Sequence, residues 1–384
     1  MGRARTAVLV VVLLGLVAAC ASPGEETSTP LRAGPLPRIP GPALDEPLAA
    51  AAGDHVVVWG GHGGGRYRAG GWVIDGDRQW RPITGTPAAM HGMIYGGAVW
   101  TGDALIVMGM RCDLTDAAYA KQVEENEDAN PCEGNPRAAV RVDPPTARAT
   151  SLPTPEAAAR TRQSNGAVAS GWDGTRAWFQ TGNADYSHRL VGFDPEQSNW
   201  SNLAAPKGHD LEQACVVGRR IVGLADPDGV GMAVAPSSGP PAMWSWSDDG
   251  GWSRLPSAPL PAVGPSVIRA SCAGGAVIGY RCGSAPATAA FDGPRDRWRG
   301  LPTVGGCTLG AVGEVGPTLV AIHEGTLLAW SPGHTEWTHP IPGSTEDGGF
   351  GAAPSVDRGR LLLVADANQN DGRQTRLRLL DVTP

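Results

Sequence analysis

The sequence has few charged residues and almost no lysine. Charged residues make up 18% of the 384 positions, the net charge is −7, and only Lys121 and Lys207 are lysines. Nucleic-acid binding requires a basic surface, so this composition argues against a nucleic-acid partner. Glycine (54) and proline (34) are abundant instead. Because both residues break helices, long helices are not expected. The bias towards Ala, Arg, Gly and Pro resembles that of a high-GC, actinobacterial-like source.

The sequence also lacks any complete catalytic or metal-binding motif. It has no Gly-x-Ser-x-Gly, no Gly-Lys-Ser/Thr and no Cys-x-x-Cys. Residues 62–65 spell the HGGG of esterase oxyanion holes, but without a nucleophile we interpret them as a turn. His323-Glu324 lacks the second histidine of a metalloprotease motif. Residues 366–372 approach a calcium loop, although no Glu closes it, and a polar turn is the alternative. We expect no catalytic residues, no metal and no cofactor.

Long hydrophobic runs are missing except at the N-terminus. Arg3 and Arg5 precede an apolar run from Ala7 to Ala19, which is too short for a membrane span and is typical of an export signal. The run ends Leu-Val-Ala-Ala-Cys, which resembles the lipobox of bacterial lipoproteins. We therefore predict a signal peptide at 1–19, lipidation of Cys20 and a flexible tether at 20–34. The N-terminal lipid would anchor the protein to the cell membrane on its extracytoplasmic face; ordinary secretion is the alternative.

Six further cysteines remain after Cys20, an even number that suggests disulfides in an exported chain. Fifteen pairings are possible. Two of the cysteines bracket an insertion at 111–136 and are expected to close it as a loop. The other pairs suggested by position are Cys215–Cys272 and Cys282–Cys307. The six residues are Cys112, Cys132, Cys215, Cys272, Cys282 and Cys307.

One pattern recurs along the chain: an apolar residue, Asp or Ser, a short turn, Trp, and then Leu or Ile beside Pro. Five of the thirteen tryptophans occupy this one place. A weaker copy has Ala149 near the Trp position. The Trp-bearing copies start at Ile74, Phe193, Trp246, Phe291 and Trp330 and place Trp80, Trp200, Trp252, Trp298 and Trp337.

Two apolar stretches joined by a glycine turn lie between these copies, so each unit contains four short strands. Seven units of this kind are typical of a β-propeller. The predicted fold class is all-β: a seven-bladed β-propeller of four-stranded blades over residues 35–384. The chain ends where an outer strand should begin. We therefore expect the N-terminal segment at 35–40 to supply that strand and close the ring.

The first unit carries a resemblance to a known family. An apolar strand ending in Gly60-Gly61, followed by Tyr67 and Trp80, is similar to a Kelch repeat, and Arg162 resembles the Arg that opens many Kelch units. Later units lose the double glycine, and a divergent propeller of another family is the alternative. Kelch propellers include scaffolds and a few enzymes. The Tyr–His copper site of the galactose-oxidase type has no counterpart here.

Polar residues at the start of predicted inner strands mark a possible binding site at the channel mouth. These residues are His91, Arg162, Glu212 and Arg269. The alternative is that they are solvated rim residues. The insertion is either a recognition loop or a solvated excursion. The leading hypothesis is a monomeric, non-catalytic binding or scaffold lipoprotein whose partner is a protein or a cell-envelope polymer. The alternative is a carbohydrate-active propeller enzyme, sialidase- or oxidase-like, acting at the channel mouth.

Overall fold

Strands dominate the compact unit that spans Leu31–Pro384 in a computed structural model of the chain. Among the described residues, no helix is long and apolar enough to cross a membrane. The described residues are 31–41, 47–61, 68, 70–75, 78–86, 93–112, 114–115, 117–118, 121, 124, 132, 137–154, 167–182, 188–209, 211–225, 242–260, 268–273, 276–281, 287–303, 309–315, 318–323, 326–338, 355–357, 360–366 and 377–383.

The strands form separate antiparallel sheets, each built from consecutive segments of chain. The first sheet contains β2 (Leu48–Ala52), β3 (His55–Trp59), β4 (Gly71–Ile74) and β5 (Trp80–Pro82). The second contains β6 (Met93–Trp100), β7 (Leu105–Arg111), β8 (Arg137–Asp143) and β9 (Arg148–Ser151). The third contains β10 (Ala167–Trp172), β11 (Ala177–Gly182), β12 (His188–Asp194) and β13 (Asn199–Leu203). The fourth contains β14 (Leu211–Val217), β15 (Arg220–Ala225), β16 (Ala242–Ser247) and β17 (Gly251–Leu255).

The remaining sheets continue this order and bring the two ends of the unit together. The fifth contains β18 (Ile268–Ala273), β19 (Ala276–Arg281), β20 (Ala287–Asp292) and β21 (Arg297–Leu301). The sixth contains β22 (Leu309–Val315), β23 (Thr318–His323) and β24 (Thr326–Trp330). The closing sheet contains β25 (Ser355–Asp357), β26 (Arg360–Asp366), β27 (Leu377–Thr383) and, from the N-terminus, β1 (Arg32–Pro35).

The prediction of a seven-bladed propeller of four-stranded blades was wrong. The described residues form six sheets of four strands and one sheet of three, β22–β23–β24. In the described part of that sheet the outer position shows a single bridge, between Ala329 and Thr338. The sequence that follows, His339-Pro340-Ile341-Pro342, contains two prolines. Because proline has no N–H to donate, such a segment is poor material for a continuous outer strand.

The first strands of successive sheets lie side by side in a ring. Contacts run from β2 to β6, β10, β14, β18 and β22, and β25 contacts β2. Each sheet therefore packs against a neighbour on both of its faces. The second sheet illustrates this arrangement: Leu105 and Val107 of β7 pack towards the first sheet, whereas Ile106 and Met108 pack towards the third. Alternating side chains of a strand point to opposite faces, so a continuous apolar run is what such a strand requires.

The recurring tryptophans connect neighbouring sheets through the carbonyl of the residue that follows the repeated Leu, which is a proline in four of the five cases. Trp200 Nε1 in the third sheet donates to the carbonyl of Pro153, which follows the second sheet, at 2.7 Å. We call each such bond a Trp latch. The other latches join Trp80 to Pro37 (2.8 Å), Trp252 to Ala204 (2.8 Å), Trp298 to Pro256 (2.9 Å) and Trp337 to Pro302 (2.9 Å). The repeat therefore encodes a bond between sheets as well as a hairpin.

The N-terminal segment pairs with the C-terminal strand, but three residues earlier than expected. The strand is β1, where Arg32 pairs with Thr383 and Pro35 with Leu380. The predicted segment at 35–40 lies mostly beyond it. There Leu36 and Ile39 pack against the first sheet, and Pro37 accepts the Trp80 latch. The Leu-Pro pattern marked the latch acceptor rather than the strand.

Candidate functional site

The first strands of the four-stranded sheets begin at one end of the ring. Four antiparallel strands return the chain to the end at which it began, so successive first strands run in the same direction. We call this end the mouth and define it by the first residues of β6, β10, β14 and β18. These residues are Met93, Ala167, Leu211 and Ile268.

Bulges interrupt several of the first strands near the mouth. The pairing register shifts between Ile94 and Gly97 in β6, between Ala169 and Gly171 in β10, and between Leu211 and Gln213 in β14. The strand β22 has a similar shift between Leu309 and Val312. A bulge adds a residue that the ladder does not pair, which changes where that residue is presented. In β14 the added residue is Glu212.

A buried side chain from the third sheet holds the bulge in β14. Gln180 of β11 is 3% exposed. Its Nε2 donates to the carbonyl of Leu211 at 2.7 Å, and its Oε1 accepts the backbone N–H of Ala214 at 2.8 Å. These two backbone groups lie on either side of Glu212 and Gln213. The side-chain amide thus supplies the partners that another strand would supply in a regular ladder.

A disulfide fixes β14 against β18. Cys215 and Cys272 are bonded, with their Cα atoms 5.3 Å apart, and Cys215 is buried. The predicted pairing is confirmed, as is the pairing of Cys112 with Cys132. Glu212 lies three residues before Cys215, and Arg269 lies three residues before Cys272. The disulfide therefore holds a carboxylate-bearing position and a guanidinium-bearing position on adjacent strands of the mouth.

The described residues include two of the four predicted mouth positions. Glu212 occupies the bulge of β14, and Arg269 pairs with Tyr280 in β18. His91 and Arg162 lie outside the described residues, as do Cys20, Cys282 and Cys307. Sequence reasoning missed Gln180. A signal was present, because Gln180 follows directly after the large apolar residues Trp178 and Phe179 in the second strand of its sheet.

The insertion at 111–136 is tied to the second sheet at both ends. It leaves β7 at Arg111, and Cys112 and Cys132 are both buried against Met110. Arg137 opens β8 directly after the insertion and is 1% exposed. Burial lowers the pKa of Arg137 to about 10, because desolvation disfavours the charged guanidinium. A recognition role for the insertion stays a prediction.

The described residues contain no group of three or more His, Cys, Asp or Glu side chains placed to hold a metal ion. The predicted calcium alternative at 366–372 falls almost entirely outside them, because only Asp366, the last residue of β26, is described. His62 of the HGGG segment is likewise outside. The glycines before it, Gly60 and Gly61, have φ of 67° and 83°, values that favour glycine after the strand β3.

Comparison with known proteins establishes the fold of this chain but identifies no family for it. No family model and no curated protein matches the sequence. Among solved structures, the β-propeller domain of the trilobed protease from Pyrococcus furiosus has a TM-score of 0.55 at 12% identity, covering 89% of this chain and 94% of that one. Pyrococcus horikoshii acylaminoacyl peptidase has a TM-score of 0.53 at 11% identity, and the match covers 88% of this chain but only 51% of the peptidase.

A structure of YCF48 bound to D1 peptide is also similar, with a TM-score of 0.51 at 11% identity over 93% of this chain and 96% of that one. Identities this low establish the fold alone. The ring of sheets, the Trp latches and these likenesses define the chain as a β-propeller. Proteins of this fold include domains of peptidases and propellers solved with a peptide, so the class does not by itself assign an activity.

Proposed function

We propose that this protein is a lipid-anchored, extracytoplasmic propeller of divergent Kelch type that binds a polypeptide at its mouth without catalysing a reaction. The basic n-region, the short apolar run and the Leu-Val-Ala-Ala-Cys sequence support export and lipidation of Cys20. The two disulfides support the same location, because disulfides persist in oxidising compartments. The Val-Val-Val-Trp-Gly-Gly strand and the Trp80 latch support the Kelch type.

The observation that carries the binding proposal is the arrangement of β14 and β18. Glu212 and Arg269 each lie three residues before a cysteine on neighbouring first strands, and the Cys215–Cys272 bond fixes the spacing of those strands. A partner that presents a cationic group beside an anionic group complements this pair. Polypeptides present such groups, and the similar YCF48 structure contains a peptide. A cell-envelope polymer is the competing partner.

Cross-linking in native membranes tests the binding proposal. We expect the wild-type protein to enrich a defined polypeptide, and the double variant Glu212→Gln/Arg269→Gln to lose most of that enrichment. The matched control is Arg219→Gln/Asp249→Asn, which removes one charge of each sign from exposed turns after β14 and β16, at the end of the fourth sheet opposite the mouth. Equal enrichment by both variants would contradict a site at the mouth. Enrichment of envelope polymer alone, or glycan hydrolysis by the purified protein, would contradict the polypeptide proposal.

Metabolic labelling with palmitate tests the anchor separately. We expect label on the wild-type chain, none on Cys20→Ala, and release of that variant from the membrane fraction. A Cys112→Ala/Cys132→Ala variant is the control, since it removes thiols without touching the lipobox. Labelling that survives Cys20→Ala would rule out lipidation at this residue.

A further inference from the structure

We infer that Gln180 is a positioning residue for the mouth, and that its side-chain amide sets the place of Glu212 for a bound partner. This inference rests on the proposed binding function. It assigns a role to a residue in the third sheet, which would act on the fourth sheet through hydrogen bonds to the backbone.

Burying the polar side chain of Gln180 costs free energy. A polar side chain in an apolar strand is expensive to bury unless each of its polar atoms finds a partner. Gln180 is 3% exposed, and it satisfies both ends of its amide on β14 with bonds of 2.7 and 2.8 Å. An apolar residue would fill the same space without this requirement, as in the second strands β3 and β7. Packing alone therefore does not explain a glutamine here.

The Gln180 amide bonds to β14 on both sides of its bulge. Its two partners, Leu211 and Ala214, border the segment in which the register of β14 shifts. The bond to Ala214 lies on the cysteine side, where the disulfide already fixes the strand. The bond to Leu211 lies at the mouth end, where β14 begins. Gln180 and the disulfide thus fix the strand on both sides of Glu212.

A positioning role differs from general stabilisation in which strand it affects. The two bonds of the Gln180 amide described above end on β14, whereas Arg269 lies on β18. Loss of the amide should therefore change contacts made from residues 212–213 more than contacts made from the start of β18. A residue that only stabilised the fold would affect both positions alike.

The test places a photo-reactive p-benzoylphenylalanine at Gln213 or at Ile268, next to Glu212 and Arg269, so that both charged side chains are kept, and compares adduct yields in native membranes. In Gln180→Met, which keeps the side-chain length and removes the bonds to Leu211 and Ala214, we expect the yield from position 213 to fall by about tenfold, the change that corresponds to the loss of one to two hydrogen bonds. The yield from position 268 should stay within about twofold of the parent protein. Thr181→Val is the control, because Thr181 is equally buried and its hydroxyl bonds to Arg189 within its own sheet.

Amide hydrogen exchange supplies a second measurement that needs no partner. Gln180→Met should expose the Ala214 N–H and raise its exchange rate by about tenfold, whereas Thr181→Val should not. Unchanged exchange at Ala214, or equal losses of adduct at both mouth positions, would overturn the inference. If the parent protein gives no adduct from either position, the proposed binding site fails, and the exchange rate still decides whether Gln180 holds the bulge. Should Gln180→Met not fold, Gln180→Leu replaces it, since it also removes the bonds to Leu211 and Ala214 and buries no charge.

Discussion

The junction between the first and second sheets differs from the junction between the second and third. At the latter, Trp200 packs on Phe193 with ring centroids 5.0 Å apart and donates its N–H to the Pro153 carbonyl. At the former, Ala149 occupies the Trp position and pairs with Val142 as Trp200 pairs with Phe193. The hairpin is the same, yet the side chain that makes the latch is missing.

Backbone atoms replace the missing latch. The N–H of Thr84 donates to Ala147 at 2.9 Å, and the N–H of Ala149 donates to Thr84 at 2.8 Å, which forms a parallel bridge between the two sheets. Arg81 adds bonds to the carbonyls of Pro144 and Pro145. An alanine allows this close approach and a tryptophan would not. The junction between the second and third sheets is thus specified by Trp200, which the repeat in the sequence reveals. The junction between the first and second sheets is specified by backbone hydrogen bonds, which the sequence does not reveal.

Deleting residues 31–42 should have the largest effect, because it removes a strand and a latch acceptor from one junction. It takes away β1 from β27, the Pro37 carbonyl from Trp80, and the contacts of Leu36 and Ile39 with the first sheet. We expect the melting temperature to fall by at least about 10 °C, since several kcal/mol of burial and pairing are lost. Deletion of 21–30, which removes a similar length of chain before β1, is the control. An unchanged melt would show that the ring is closed elsewhere.

The sequence predicted the features that repeat and missed those that occur once. Five tryptophans at one place and the glycine turns between apolar stretches indicated the hairpins, and exported cysteines indicated disulfides. The bulge held by Gln180 and the bridge at Thr84 depend on atoms 34 and 63 residues apart, and a single copy leaves no pattern. The closing strand was misplaced because Leu36-Pro37 repeats the latch acceptor, which lies just beyond β1.

Truncating Trp200 tests what a Trp latch contributes. Trp200→Ala should lower the free energy of unfolding by about 2–4 kcal/mol, because it removes packing on Phe193 and Phe179 as well as the hydrogen bond. Trp200→Phe keeps an aromatic ring on Phe193 but loses the bond to Pro153 and part of the indole packing, and it should cost about 1–2 kcal/mol. At the other junction Ala149→Gly keeps both backbone bonds and should cost about 1 kcal/mol or less. Urea unfolding measures all three. If the Phe variant were as unstable as the Ala variant, the hydrogen bond, and not the ring packing, would account for the stability that the latch contributes.

Replacing Thr84 tests the backbone bridge directly. Thr84→Pro removes the N–H that bonds to Ala147 and should cost about 1–2 kcal/mol, although the side chain is exposed. Thr84→Ala keeps that N–H and loses only the hydroxyl bond of 3.3 Å, so its effect should stay below about 0.5 kcal/mol. Equal effects of the two variants would mean that the bond from the Thr84 N–H to Ala147 contributes nothing to the stability of this junction.

The comparison also extends to ion pairs between sheets and within a sheet, for which we expect the smallest effect on stability. Arg220 in the fourth sheet crosses to Asp296 of the fifth at 2.6 Å, and Arg176 in the third crosses to Asp248 of the fourth at 3.0 Å. In the second sheet the pair stays internal: Asp103 bonds to Thr101 and to Arg141 of its own sheet. The Thr101 hydroxyl, followed by the Arg141 charge, lowers the pKa of Asp103 below its ordinary 3.8.

A carboxylate with a lowered pKa stabilises the folded state above its unfolded pKa, and this contribution is lost as the pH falls through the folded value. Asp103→Asn should therefore be slightly less stable than the parent at pH 7, and the difference should shrink below about pH 4. The effect is small because the Asp103 side chain is 71% exposed.

Asp296→Asn should be more costly at pH 7, because it breaks a pair that spans two sheets and whose arginine also bonds to the Gly293 carbonyl. If Asp103→Asn were the more damaging of the two, ion pairs within a sheet would matter more than those between sheets. The junctions would then depend little on their charged pairs.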